Sequence, residues 1–486
     1  MYRLLIILFT LFAVSSTSAV YEEDEAVTWG NFSHVRWIAS SMNYVYFATT
    51  SGILKYDKMK RQWETPLTGT EGIDHNDIYR VYVDEFDERL IANTGDGLFE
   101  YDELLRRWFP IDRVPNLSGQ NAHMDAPSVM YAPSGFNYAN TGTLNDPWGR
   151  SWPLSDVLND RSGNLWLGFW GFGPGTADEA SQIIELLPYG LLQERTNAIA
   201  MRDGNLWVSG AEVGSPRTGI TMFNIEDGQF DYVESGLTSD FPVVDVNCLA
   251  SGPDVIWAGT ASGVYRLNLD SRRMETRYGR NAGLPDLNII SLATRNDSVW
   301  VGTAYGLALM NLAGDSINTA IPQSLHGEVI FDLALAEREL WIASSDGAYR
   351  LRLSSGDFQR LSDPESMLTG EVYDVEVTER YLWFAGPDGV LRLNRETGDT
   401  KAFPMLSTYR DLHAIAANDV ILAVASGQGL TLVYHDSDHL NRRRFTTNDG
   451  LPSNIIYSLW MDGEYLWLGS DRGLTRFWWD NPDRID

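Results

Sequence analysis

A chain of 486 residues with 44% hydrophobic residues, 21% charged residues and 17 Trp has the composition of a globular protein, not of a disordered one. Its formal net charge of −29 sets it against nucleic-acid phosphates and anionic lipid, and favours neutral or cationic partners. The single cysteine, Cys248, excludes an internal disulfide; within the apolar run 246–250 it reads as a small buried hydrophobe.

The N-terminus carries Arg3, the apolar run Leu4 to Val14 and the small residues Thr17-Ser18-Ala19. This is the pattern of a cleaved secretory leader over residues 1–19. Residues 20–486 are then a single exported domain, periplasmic or secreted. No later stretch is apolar for long enough to cross a bilayer, so no membrane insertion of the mature chain is expected.

From there one phrase recurs: an apolar strand, often with Trp, then a Gly six residues after the Trp position. The copies align at Tyr46, Ile91, Trp166, Trp207, Trp257, Trp300, Trp341, Trp383, Ala423 and Trp467. A common spacing of about 42 residues is that of a four-stranded propeller blade. The unit around Trp300 shows why. Asn288 to Ala293 reads as a buried inner strand, Arg295 to Ser298 as a polar turn, and Val299 to Thr303 as a second strand. Gly306 supplies permissive turn geometry, Leu307 to Met310 form a third strand, and 317–321 a fourth. The fold class is therefore all-β, with about ten four-stranded antiparallel blades. A ring of seven or eight blades carrying extra repeats is the alternative. Seven Trp at equivalent places are expected to pack between blades rather than to form binding platforms.

Three breaks in the repeat come early. The spacing from Ile91 to Trp166 is 75 residues, which leaves an insertion loop at about 115–150 between the second and third blades. It is polar, aromatic and long, as functional loops are. The turns after Trp166 and Trp207 are widened by 169–175 and 211–217. In a four-stranded meander, blade-to-blade connections and the turns between second and third strands share a face. All three breaks are thus expected on one face around blades two to four. The candidate ligand-binding residues there are His123, Asp125, Tyr131, Tyr138, Trp148 and Arg150 from the loop. Trp170, Phe172 and Arg217 come from the widened turns. At the far end the last unit lacks an obvious fourth strand, while Trp29 sits where Trp63 and Trp108 sit. The N-terminal strand is expected to complete the last blade and remove open edges.

The run Asp449-Gly450-Leu451-Pro452-Ser453-Asn454-Ile455-Ile456, followed by Leu466-Trp467-Leu468-Gly469-Ser470 and Gly473-Leu474, resembles the two-component regulator propeller repeat. Gly283-Leu284-Pro285 with Trp300-Val301-Gly302-Thr303 and Gly306-Leu307 does so nearly as well. The resemblance implies a sensor-type β-propeller, here without the kinase or membrane helix to which such propellers are commonly joined.

No residue pattern marks a catalytic centre, a metal site or a cofactor cradle. His435 and His439 are four apart but fall in a turn between outer strands, read as solvated. The leading expectation is an exported, non-catalytic propeller that binds a small molecule, a glycan or an envelope protein through the decorated face. One alternative is a propeller lyase or hydrolase acting on glycans or peptides, with His123, Asp125, Tyr131 and Arg150 as first candidates. Another is a structural subunit of an envelope or secretion assembly.

Overall fold

A computed structural model describes residues 26–481 apart from 70–72, 74–77, 120–121, 161, 212–216, 236–244, 312–315, 319–324, 405–411 and 436–440. The expected leader, His439 and residues 212–216 of the second widened turn lie outside the described residues. The described residues form ten antiparallel sheets, nine of four strands and one of seven. In chain order they are blade 1 (35–63), blade 2 (78–111), blade 3 (122–186), blade 4 (198–234), blade 5 (246–278), blade 6 (289–318), blade 7 (330–360), blade 8 (374–403), blade 9 (412–445) and blade 10 (456–478). Strand Ala26–Trp29 supplies the fourth strand of blade 10, pairing with Gly473–Trp478 in the register Trp29↔Leu474.

Two positions in the repeat build the blades. At the sixth residue after the Trp position, Gly473 has φ of 110° and a Cβ there would stand 2.2 Å from the Trp29 carbonyl oxygen. Gly429 meets the Phe445 carbonyl in the same way, at 2.1 Å. Only glycine accepts both the left-handed backbone and this approach. Trp29 therefore occupies the place that blade 9 gives to its own fourth strand. The turn is fastened by a hydroxyl donating to the glycine carbonyl, as in Thr303 to Gly306 at 2.7 Å and Ser344 to Gly347 at 2.7 Å.

The second position, two residues after the Trp, sets blade-to-blade packing. A Cβ on Gly302 would meet Ile330 of the next inner strand at 2.8 Å, and one on Gly259 would meet Ile289 at 2.7 Å. Ala48, Ala343, Ala385 and Ala425 hold the same place, buried. The Trp residues pack beside it: Trp257, Trp383 and Trp467 are almost wholly buried, each in an apolar layer between blades.

These contacts also give the order of the blades. Gly469 of blade 10 abuts Thr196 at the start of blade 4, and Thr196 N–H donates to the Ser470 carbonyl at 2.8 Å. Inner strands follow one another from blade 4 to blade 10 and back to blade 4. Blades 4–10 are a closed ring of seven. Gly168 of blade 3 abuts Val35 of blade 1, and the inner strand Val35–Ser40 also lies against Ile78–Val83 of blade 2. Blades 3, 1 and 2 thus form a fan in that order. The ten expected blades are arranged as a smaller ring with extra repeats, not as one ring of ten. Blades 2, 3 and 4 are successive in sequence but not mutual neighbours in space.

Ring and fan are joined by two chain crossings, 30–34 and 187–196. Leu191 N–H donates to Gly30, the Asn31 amide to Leu192, and the Glu194 carboxylate accepts from Asn31 N–H and the Ser51 hydroxyl. Tyr189 lies among Trp29, Phe32, Trp63 and Phe230, with ring centroids 4.8 to 6.3 Å away for the last three and an indole-to-hydroxyl bond of 3.3 Å from Trp29.

In blade 2 the packing position holds Asn93, half-buried, and among the described residues no inner strand packs closely on that side. Gly302→Val is therefore expected to destabilise the protein by about 3 kcal/mol through overpacking. Asn93→Val at the equivalent position should change stability by less than about 0.5 kcal/mol. Urea unfolding of both variants checks the contrast.

Candidate functional site

Every inner strand but those of blades 4 and 8 carries a register shift near its start, where one extra residue is fitted in. In blades 1 and 2 the extra residues are Arg36 and Tyr79, and the next are Trp37 and Arg80. Two parallel rows result. In the outer row the Arg36 guanidinium lies 4.6 Å from the Tyr79 ring and 5.9 Å from Trp170, which meets His34 edge-on at 4.9 Å. In the inner row Trp37 has His123 at 3.9 Å and the Arg80 guanidinium at 4.5 Å. Tyr79 is 47% and Trp170 41% exposed.

The inner row walls a recess of about 70 Å³ lined by Trp37 to Ser40, Val81 to Val83, His123 and Leu158. That is room for a few waters or one small group. Asp156 anchors the recess. One oxygen bonds His123 Nδ1 at 2.7 Å and the other accepts from Ile38 N–H at 2.7 Å, tying blade 3 to blade 1. No hydroxyl or thiol among the described residues is hydrogen-bonded to the other His123 nitrogen. The arrangement offers flat aromatic faces and fixed cations within a strongly acidic protein.

The insertion loop is largely an extension of blade 3. Strands Asn137–Ala139 and Thr143–Asn145 add to the first residues of Ser151–Asn159, and Ala122–His123 pairs with its last two. Of the expected site residues, His123 reaches the recess and Trp170 the outer row. Asp125 is exposed. Tyr131 is exposed at the opposite, outer edge of blade 3, where its N–H donates to Gln182 at 2.8 Å. Tyr138 is buried in the core of blade 3 with Phe172, its hydroxyl donating to the Pro127 carbonyl at 2.9 Å.

Arg150, Phe172 and Arg217 do come together, but as a clamp between fan and ring. Glu234 of blade 4 accepts from Arg217 Nη2 at 2.6 Å and from Arg150 at 2.9 Å. Arg150 also donates to Asp146 at 2.5 Å, and Arg217 to the Phe172 carbonyl at 3.1 Å. Trp148 rests beside Arg150, whose guanidinium is 5.6 Å from its ring. Gly171 makes room here, since a Cβ on it would stand 2.9 Å from the Trp152 ring. Burial alone would raise the Glu234 carboxyl, but Arg217 and then Arg150 hold it below the usual range. Arg36, Trp37, Tyr79, Arg80 and Asp156 were not singled out by sequence. For Trp37 and Arg80 the signal was a bulky or charged residue where blades 4, 5, 6, 9 and 10 carry Ala198, Cys248, Ser291, Ala414 and Ser458.

Other perturbed groups lie on the inner strands of the ring. Asp332 Oδ2 accepts from Val375 N–H at 3.2 Å and Asp374 Oδ2 from Ile415 N–H at 2.7 Å, each tying one blade to the next. The two carboxyls also bond each other; burial raises both, and they share a proton. Burial, with the Asp332 charge adding, pushes Glu376 up to about 8. His435 is not solvated as expected but buried, its Nδ1 accepting from the Arg392 guanidinium at 3.1 Å and its Nε2 donating to the Asn418 carbonyl at 3.0 Å. Cys248 sits beside Gly259, and burial pushes its thiol up.

The fold is that of a β-propeller, and solved propellers resemble it. PorZ, a surface component of the type IX secretion system of Porphyromonas gingivalis, superposes with a TM-score of 0.61 at 12% identity, over 93% of this chain and 87% of that one. The extracellular domain of BT4673, a putative hybrid two-component system of B. thetaiotaomicron, aligns with a TM-score of 0.47 at 14% identity, over 93% of this chain and 70% of its own. No protein-family model matches the chain, nor does any curated protein.

Glu234→Gln leaves the buried Arg217 guanidinium and the partly exposed Arg150 without their shared carboxylate and should cost about 3 kcal/mol, measured by urea unfolding at pH 7. Glu376 works in the opposite direction. Its folded form holds a proton from about pH 4.5 to about 8 that the unfolded chain releases. Its contribution to stability is present below pH 4.5 and lost as pH rises towards 8, with a slope of up to about 1.4 kcal/mol per pH unit. Glu376→Gln should flatten unfolding free energy over pH 5 to 8 and be more stable than the parent at pH 8.

Proposed function

We propose that this chain is an exported, non-catalytic binding propeller of the cell envelope or surface, and that its ligand meets the rows of cations and aromatic rings on the fan. The observation that carries the reading is the pair of rows themselves. Three aromatic rings, Trp37 and the exposed Tyr79 and Trp170, alternate with Arg36, Arg80 and two histidines across three blades. In a protein of net charge −29, cations gathered on one surface attract anionic groups that the rest of the molecule repels. Aromatic faces add stacking to that attraction. The fold shared with PorZ, a bacterial surface component, supports envelope placement.

A second reading, a structural subunit of an envelope assembly, is favoured by the unpacked side of blade 2, where Phe109 is 44% exposed. Thermal shift against anionic oligosaccharides and acidic peptides separates the two. A specific ligand raises the melting temperature of the parent. Trp37→Ala with Trp170→Ala should lower affinity for it by at least about tenfold, since a stacking ring contributes about 1–3 kcal/mol. A ligand that stabilises parent and double variant alike would reject the fan as its site.

A further inference from the structure

We infer that the mouth of the ring of seven is a second binding site, for an organic carboxylate. It stands apart from the fan, on different blades. The inner-strand position that carries Arg36 and Tyr79 in the fan carries Phe331, Tyr373, His413 and Tyr457 in blades 7 to 10, and Asn197 and Asn247 in blades 4 and 5. Their side chains meet across the blade boundaries. Phe331 and Tyr373 pack edge to face at 5.5 Å, and His413 and Tyr457 stack at 5.4 Å. The Asn247 amide donates to the Ile289 carbonyl of blade 6 at 2.8 Å. All six are partly exposed, so they form an accessible crown and not a core.

Arg195 makes the crown selective. It stands at the seam where blade 10 meets blade 4, exposed, with its guanidinium 4.0 Å from the Tyr457 ring and Nε donating to Asn197 Oδ1 at 2.8 Å. Stacking and that single bond fix the guanidinium plane, and among the described residues no partner takes either terminal nitrogen. Most arginines of this acidic chain with a described partner pair with a carboxylate, as Arg61 does with Glu185 and Arg89 with Glu100. Arg195 has no such pair among the described residues. Even its neighbour Glu194 turns away, to Asn31 and Ser51 at the junction with the fan. A planar guanidinium with a free two-pronged edge matches a carboxylate. Beside it the Tyr457–His413 stack offers a flat wall for the ring or apolar body that carries the carboxylate. His413 Nδ1 donates to the Ile456 carbonyl at 2.7 Å, which holds that ring in place. A uronate sugar and a peptide C-terminus share this chemistry.

Titration calorimetry on the mature chain tests the site with two matched pairs: digalacturonate against its methyl ester, and a short tyrosine-terminated peptide with a free against an amidated C-terminus. At least one free acid should bind, and at least about tenfold more tightly than its blocked form, because the charged fork is lost on blocking. The pair that does so identifies the source of the carboxylate. Arg195→Gln should abolish the difference between free and blocked forms, while Tyr457→Ala weakens both. Arg195→Gln should melt with the parent, since the residue is exposed. Trp37→Ala with Trp170→Ala should leave this binding unchanged, which separates failure here from failure at the fan. If neither acid binds better than its blocked form, or if Arg195→Gln binds as the parent does, the inference is overturned.

Discussion

Hydrogen bonds between Ala26–Trp29 and Gly473–Trp478 close the ring of seven with a strand that the chain makes before it makes the fan. Thr28 and Thr475 bond through their hydroxyls at 2.8 Å across a separation of 447 residues. Because of that one pairing, the chain must leave the ring, build three blades and return. It leaves and returns side by side, and the crossings 30–34 and 187–196 are bonded to each other. Closing so long a loop is entropically costly, and the layer formed by Trp29, Tyr189, Trp63, Phe223 and Phe230 offsets it by burying large aromatic faces. The Glu234 clamp adds a second tie between the bodies.

Within each body the limiting quantity is space beside the inner strand. A glycine or alanine two residues after the Trp lets the next blade close in, and the Trp fills the room further out. Nearer the axis, polar side chains replace apolar packing. Asp156, Asp332 and Asp374 each accept a backbone N–H from the following inner strand, and Asn247 and His413 donate to its carbonyls. The same structural need therefore yields carboxyls of raised pKa in the ring and, in the fan, the anchor for His123.

The distribution of charge follows from this division. Acidic residues dominate the chain, and most arginines near them are spent in pairs on the blade surfaces. Other arginines lie on aromatic rings. Arg36 and Arg80 lie against aromatic rings on the fan, and Arg195 lies against Tyr457 on the ring. A guanidinium on a ring face keeps its edge available for hydrogen bonds. At the ring mouth Arg195 thus keeps a donor edge that meets no carboxylate among the described residues.

The sequence by itself determined the blade. Period, Trp burial, the positive-φ glycine and the borrowed N-terminal strand all follow from local rules that one unit displays to the next. It also located where the repeat is interrupted. It did not determine which blades are neighbours, because the contact that orders them, a small residue against the next inner strand, has the same form whichever blade comes next. Gly168 meeting Val35 and Gly469 meeting Thr196 were decided only by closure. For the same reason the decorated residues separated. Arg150, Phe172 and Arg217 converge on Glu234 as an internal tie, whereas Trp170 and His123 join Arg36, Trp37, Tyr79 and Arg80 from blades that sequence order places before them. A repeat encodes its own fold in every copy; a site shared by three copies exists only when the tertiary structure has set their order.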